Sequence, residues 1–364
     1  MTATPAARAR WRALGNTLGL ALGALLAAAW APAARAQTGA VRGVHDPVVA
    51  KLDSVYYLFH TGRGIPIRRS TDLRQWDTAG SVFPDTVPRW GRAAVPRAEF
   101  PWAPDISFFG GRWHLYYSLS SFASQHSAIG VATNATLDPR RPDYRWVDAG
   151  RAVVSSDSAR ATFNAIDPNV AFDEQGAPWL AWGSFWGGIK LHRLDPATGM
   201  FSAADTTTYA IAARAGTEAR VGPRDPQSIE GPFIVRRDGY YYLLASYDLC
   251  CRGPASTYNV RVGRARAITG PYVDANGVAL TANGGTVLLA GAGRVRGPGH
   301  VAVLADGGQD YLVHHFYDMD ARAVPTLQIR PLTWGPDGWP HAGEPLTPAP
   351  PAPPPRAPRP AAGP

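Results

Sequence analysis

The sequence repeats itself with a period of about sixty residues, and a repeat of that length leaves few architectures open. Five aromatic-rich runs mark it: Val55 to His60, Trp113 to Ser118, Trp179 to Ser184, Tyr240 to Ser246 and Tyr311 to Phe316. A turn signal precedes most of them: Asp53-Ser54, Gly110-Gly111, Glu174-Gln175-Gly176, Asp238-Gly239 and Asp306-Gly307-Gly308. Each run therefore reads as the second strand of a hairpin. A further strand follows in every unit, at 67–70, 129–132, 189–192, 260–263 and 327–330. Upstream of each hairpin stands one polar residue in a Pro- or Gly-flanked setting: Asp46, Asp105, Asp167, Glu230 and His300. Their spacings are 59, 62, 63 and 70 residues. Five units of three or four strands predict an all-β chain folded as a five-bladed β-propeller, which leaves few sheet edges exposed. A β-sandwich is the rival, but it gives no reason for a polar residue at one phase of five units.

Composition agrees. Of 364 residues, 38 are Gly and 34 Pro, a supply of turns that suits many short strands better than a helix bundle. The +8 charge is concentrated at the ends. Residues 1–36 carry four arginines and no acid, residues 348–364 carry two, and the body between is left near +2. A body this close to neutral, with its arginines scattered, excludes the dense basic face of a nucleic-acid binder. No Walker loop, His-Glu-x-x-His or Gly-x-Ser-x-Gly is present.

Taken singly, each marker residue is an ordinary turn or capping residue. Taken together, a propeller brings them to one end of its central channel. Asp46, Asp167 and Glu230 then share one pocket walled by aromatic rings. Carboxyl groups in a shared, partly buried site push each other's pKa values apart, so that one holds a proton while another stays ionised. Glycoside hydrolysis requires such a division of labour. Most of the 38 aromatic residues fill blade interfaces, and a few are left to stack on sugars.

These segments resemble glycoside hydrolase family 43. The motifs are His45-Asp46-Pro47, Asn164-Ala165-Ile166-Asp167-Pro168 and Ile229-Glu230-Gly231-Pro232-Phe233. Within it, Trp102 to Ile106, Gly183 to Ile189, Cys250 to Gly253 and Gly297 to His300 are similar to the endo-α-1,5-L-arabinanase branch, and the resemblance runs over about 41–345. It implies a five-bladed propeller and an inverting mechanism, with Asp46 as general base, Glu230 as general acid and Asp167 raising and orienting that acid. It implies substrate contacts at His45, Asp105, Asn164, Ala165, Ile166, Ser184, Phe185 and Trp186. It also implies a hydrated ion, usually calcium, beside His300; a metal-free, hydrogen-bonded His300 is the alternative. The implied substrate is arabinan, the side chain of pectic polysaccharide, cut at internal links. An exo-acting α-L-arabinofuranosidase or β-xylosidase would share the three acids and differ in its loops. A glycan-binding propeller without activity would not need all three.

The ends of the chain carry their own signals. Arg8 to Arg12, the apolar run Leu18 to Ala31 and Ala34-Arg35-Ala36 form a secretory leader over 1–36, with cleavage after Ala36. Fourteen apolar residues are short for a span of about 20, so no membrane anchor is expected. The mature chain is expected outside the cytoplasm, extracellular or periplasmic, as a monomer whose catalytic domain is 37–346. Residues 347–364, rich in Pro and Ala, read as a disordered tail. The two cysteines, Cys250 and Cys251, are adjacent. They form a strained vicinal ring or two free thiols, and Cys-x-x-Cys zinc spacing is absent.

Overall fold

The computed structural model describes residues 37–214 and 228–346. The expected leader and tail lie outside the described residues. Five antiparallel sheets follow one another along the chain, each a blade of a five-bladed β-propeller. The first strands of the blades are Val48–Leu52, Trp102–Phe109, Asn169–Phe172, Ile229–Arg237 and Val295–Asp306. Their hairpin partners are Val55–Phe59, Arg112–Leu119, Pro178–Trp182, Tyr240–Tyr247 and Gln309–Asp318. A third and an outer strand complete each blade, and the first two blades gain a fifth. Among the described residues helix is confined to one short segment, Arg89–Ala94, and three single 3₁₀ turns.

The hairpins form where the chain can take positive φ twice in succession, the requirement of a tight type I′ turn. Gly110 and Gly111 (φ 56° and 75°), Asp238 and Gly239 (49° and 73°) and Gly307 and Gly308 (57° and 82°) meet it. The strands between turns are aromatic and β-branched, which suits a pleated surface buried on both faces.

Packing is between blades. One apolar cluster joins the fifth, first and second blades, including Val44, Trp76, Leu115, Val313 and Ile329. Others join the second to the third through Tyr116, Val170 and Trp182, and the third to the fourth through Leu191, Leu243 and Tyr247. A fourth joins the fourth blade to the fifth, where Tyr242 packs edge-on against Trp334 at 4.7 Å. Large rings fill the wedge that opens with distance from the axis.

The ring is closed by the first described residues. Leu327 N–H donates to Val41 O at 2.9 Å, Gly43 N–H to Pro325 O at 2.8 Å, and Ile329 N–H to Gln37 Oε1 at 3.0 Å. Thr38–Gly39 meanwhile pairs in parallel with the outer strand of the first blade. Residues before the first blade thus tie it to the last.

Candidate active site

Just before the first strand of each blade, or within it, one residue adopts a left-handed conformation: Asp46 (φ 51°), Ala103 (44°), Asp167 (61°), Gly231 (57°) and His300 (49°). All five donate their N–H to a side chain of the preceding blade, four of them to a residue near the end of its hairpin partner strand. Asp46 donates to His315 Nδ1 at 3.1 Å, Ala103 to Thr61 Oγ1 at 2.8 Å, Asp167 to Ser118 Oγ at 2.9 Å and His300 to Ser246 Oγ at 2.8 Å. Gly231 instead donates to Asp167 Oδ2 at 3.2 Å. The result is a belt of interblade hydrogen bonds around the channel mouth, which holds costly backbone conformations in place. Gly231 has a second reason to be glycine, because a Cβ there would lie 3.0 Å from His300 Nδ1.

The belt corrects the marker register. In the second blade the repeated position is Ala103, not Asp105, and in the fourth it is Gly231, next to Glu230. Asp105 does not line the cleft. Its buried carboxyl accepts Val170 N–H at 2.8 Å and the Asn169 side-chain amide at 3.3 Å, bracing the third blade on the second. Burial pushes its pKa up to about 7, against the pull of the Val170 and Asn169 hydrogen bonds. Ala165 is likewise fully enclosed and outside the cleft wall.

The remaining expected residues meet in one cleft. His45, Asp46, Asn164, Ile166, Asp167, Ser184, Phe185, Trp186, Glu230 and His300 line it together with Trp102, Phe122, Tyr258 and the Cys250-Cys251 loop. The cysteines are joined to each other as a disulfide.

Asp46 has the most partners. Its Oδ1 is 2.7 Å from His45 Nδ1, 3.3 Å from His300 Nδ1 and 3.7 Å from His315 Nδ1, and its Oδ2 accepts the Thr61 hydroxyl at 2.5 Å. Burial alone would raise this carboxyl, but His45 first, through its charge and its hydrogen bond, then His300 and more weakly His315 hold it well below the usual carboxylate range; burial lowers the pKa of His300 and His315 themselves, so His45 is the imidazole that carries the charge. His45 lines the cleft, yet both its nitrogens are engaged by the protein: Nδ1 by Asp46 and Nε2 by the Tyr317 hydroxyl at 2.8 Å. Its ring stacks on His315 with centroids 3.8 Å apart. Burial lowers His45, and the Asp46 charge more than offsets that, so its pKa is raised.

Asp167 and Glu230 form the opposite electrostatic case. Both are buried, and burial pushes both upward. For Asp167 the charges of Glu230 and Asp46 add to burial. For Glu230, hydrogen bonds from Ser184 (Oγ to Oε2, 2.7 Å) and Tyr258 pull downward without cancelling it. Burial thus favours the protonated form within the pair, while Asp46 is driven towards the ionised form.

The donors around His300 do not fit a calcium ion held by protein atoms. Calcium takes six to eight oxygens. The cluster of ligating type is His45, Asp46 and His315 with His300 alongside, three imidazoles to one carboxylate.

Several of these residues escaped the sequence reading: Thr61, Ser118, Ser246, His315, Tyr317 and Tyr258. A signal for most of them was present. A polar residue stands near the end of each hairpin partner strand: Ser118, Ser246 and His315 within it, Thr61 and Ser184 two residues past it. Four of the five accept the belt's hydrogen bonds, and Ser184 instead donates to Glu230.

Comparison with known proteins gives the same direction. The model of glycosyl hydrolases family 43 matches residues 41–340. An extracellular exo-α-(1→5)-L-arabinofuranosidase of Cellvibrio japonicus is 41% identical over 306 residues, 83% of this chain and 86% of the relative. An extracellular endo-α-(1→5)-L-arabinanase of Bacillus subtilis is 38% identical over 335 residues, covering 89% and 95%. Among solved structures, the Cellvibrio cellulosa α-L-arabinanase complexed with arabinohexaose superposes with a TM-score of 0.78 at 40% identity, covering 82% of this chain and 95% of that one. The endo-arabinanase of Bacillus licheniformis superposes with 0.75 at 41% identity, covering 84% and 99%.

Proposed function

The chain belongs to glycosyl hydrolase family 43, and from that premise we propose that it is an exported, monomeric hydrolase cutting internal α-1,5-L-arabinofuranosidic links of arabinan with inversion. The observation that carries the catalytic reading is the electrostatic contrast within one cleft: an Asp46 driven towards the ionised form, facing a buried Asp167–Glu230 pair in which burial favours the protonated form. Inversion needs one ionised base to activate water and one protonated acid for the leaving oxygen. Asp46 is the base. Glu230 is the acid, with Ser184 and Tyr258 fixing the direction of its carboxyl. Asp167, tied to the Glu230 strand through Gly231 N–H, keeps that acid protonated and in place.

Asn164, Ile166, Phe185 and Trp186 on the cleft wall are proposed to hold the sugar. Asp105 and Ala165 drop out of that role, and His45 serves Asp46 instead. The leader over 1–36 directs export, in line with relatives named extracellular. A calcium ion is part of the proposal only as one held through water beside His300. Chelation that lowers Tm reversibly supports it, and an unchanged Tm removes it.

A second reading is supported by the 41% identity to a relative named an exo-α-(1→5)-L-arabinofuranosidase. Product analysis on linear α-1,5-arabinan separates the two, with Glu230→Ala as control. A ladder of mixed oligosaccharides at early times supports internal cleavage. A single small product from the outset means exo action. No product from arabinan, xylan or aryl glycosides overturns both.

A further inference from the structure

The hydroxyl of Tyr317, a buried residue of the fifth blade, is a junction between a loop and the Asp46 cluster. It accepts the Cys251 backbone N–H at 2.7 Å and lies 2.8 Å from His45 Nε2. It also reaches Ser256, whose Oγ accepts Arg252 N–H at 3.0 Å, so the loop is held at two points. That loop contains the Cys250–Cys251 disulfide, and Cys251 takes a left-handed conformation with φ 63°. Bonding two neighbouring side chains closes a small ring that includes the peptide between them. The ring restricts that peptide, and its N–H points at Tyr317. Cys251 Sγ itself lies 3.9 Å from His45 Nε2.

We infer that Tyr317 is a positioning residue for Asp46, and that the Cys250–Cys251 ring anchors its hydroxyl. The inference rests on the general-base assignment proposed above. An imidazole paired with a carboxylate has one soft coordinate, rotation of the ring. Which nitrogen carries the proton, and where it points, is set by the partner of the other nitrogen. Here His45 Nδ1 donates to Asp46 Oδ1 only while Nε2 is pinned by Tyr317. Removing the hydroxyl strands the Cys251 N–H and the His45 Nε2 together, and frees the carboxylate to turn away from the attacking water. Tyr317 is not part of the cleft wall, so the loss falls on turnover rather than on binding.

The test compares kcat and KM of the full chain on linear α-1,5-arabino-oligosaccharides, with Tm measured for each variant. The variants are Tyr317→Phe, Cys250→Ala with Cys251→Ala, and the combination of all three. Tyr317→Phe keeps the ring and is expected to lower kcat roughly tenfold or more at unchanged KM, as small misplacements of a catalytic group do. The cysteine pair variant is expected to lose part of the same rate. The triple variant is expected to fall no lower than Tyr317→Phe, because the ring acts through the hydroxyl. A wild-type kcat in Tyr317→Phe, a loss confined to KM, or losses that multiply would each overturn the inference. If Tyr317→Phe does not fold, the cysteine pair variant decides alone, and a wild-type kcat there overturns the anchor. Asp46→Ala is run beside them. Its retention of turnover would instead remove the base assignment.

Discussion

Asp46, Asp167 and Glu230 are chemically alike and are driven apart by what surrounds them. His45, whose own pKa is raised, stands against Asp46 with His300 beside it, while two carboxyls stand against each other in the other pair. Asp46→Ala and Glu230→Ala are each expected to lower kcat by at least a hundredfold with Tm nearly unchanged, since general acid–base groups contribute about 10²–10⁴. The last proton of the Asp167–Glu230 pair leaves against the charge already on its partner; on the proposed assignment Asp167→Asn removes that repulsion and lowers the pKa at which Glu230 gives up its proton. The alkaline limb of the pH–rate profile, where a protonated acid is lost, is then expected to move to lower pH as kcat falls. A limb that stays in place would leave Asp167 a positioning role alone. Thr61→Ala takes one hydrogen bond from Asp46 and one from Ala103 N–H, so it should lower both kcat and Tm. Loss of only one of them would mean that its two bonds are not both in use.

At the scale of strands and turns, a brace between blades explains why Asp105 is a carboxylic acid without being part of the site. It fastens the first strand of the third blade to that of the second, and Asn169 Oδ1 passes the link on by accepting Ile234 N–H at 2.8 Å. Asp105→Ala would leave those groups unpaired in a buried place and is expected to cost about 1–3 kcal/mol of stability. KM should not change, and a raised KM would return Asp105 to the substrate. Asp105→Asn keeps an acceptor for Val170. With its folded pKa raised to about 7, the acid's stabilising contribution is complete below the unfolded value of 3.8 and is lost as pH rises through about 7. The Tm of Asp105→Asn relative to wild type should therefore climb across that window, as thermal melts at several pH values would show.

A ring of blades fails at its seam. Here the seam is made by Gln37, Val41 and Gly43 reaching the third strand of the fifth blade. Deleting residues 37–43 is expected to lower Tm by several degrees and to reduce activity with it, because the cleft is formed by residues on both sides of the seam, Asp46 from the first blade and His300 from the last. Equal Tm with and without the segment would show that packing of the blades closes the ring unaided.

The five-blade architecture and the motifs around the three acids were legible in the sequence because both are local. A hairpin is written in its turn residues and strand alternation, and a motif such as Ile229-Glu230-Gly231-Pro232 carries the glycine its backbone requires. Repetition turned local signals into a global count. The partners were not legible, because they come from the neighbouring blade. Asp105 and Asp167 look equivalent along the chain, and only the packing of one blade on the next sends the first into an interblade brace and the second into the cleft. In the same way the sequence places Cys251, Tyr317, His45 and Asp46 far apart in three segments. Burial and charge, and with them the protonation of each acid, depend on distances that exist only when the ring is closed.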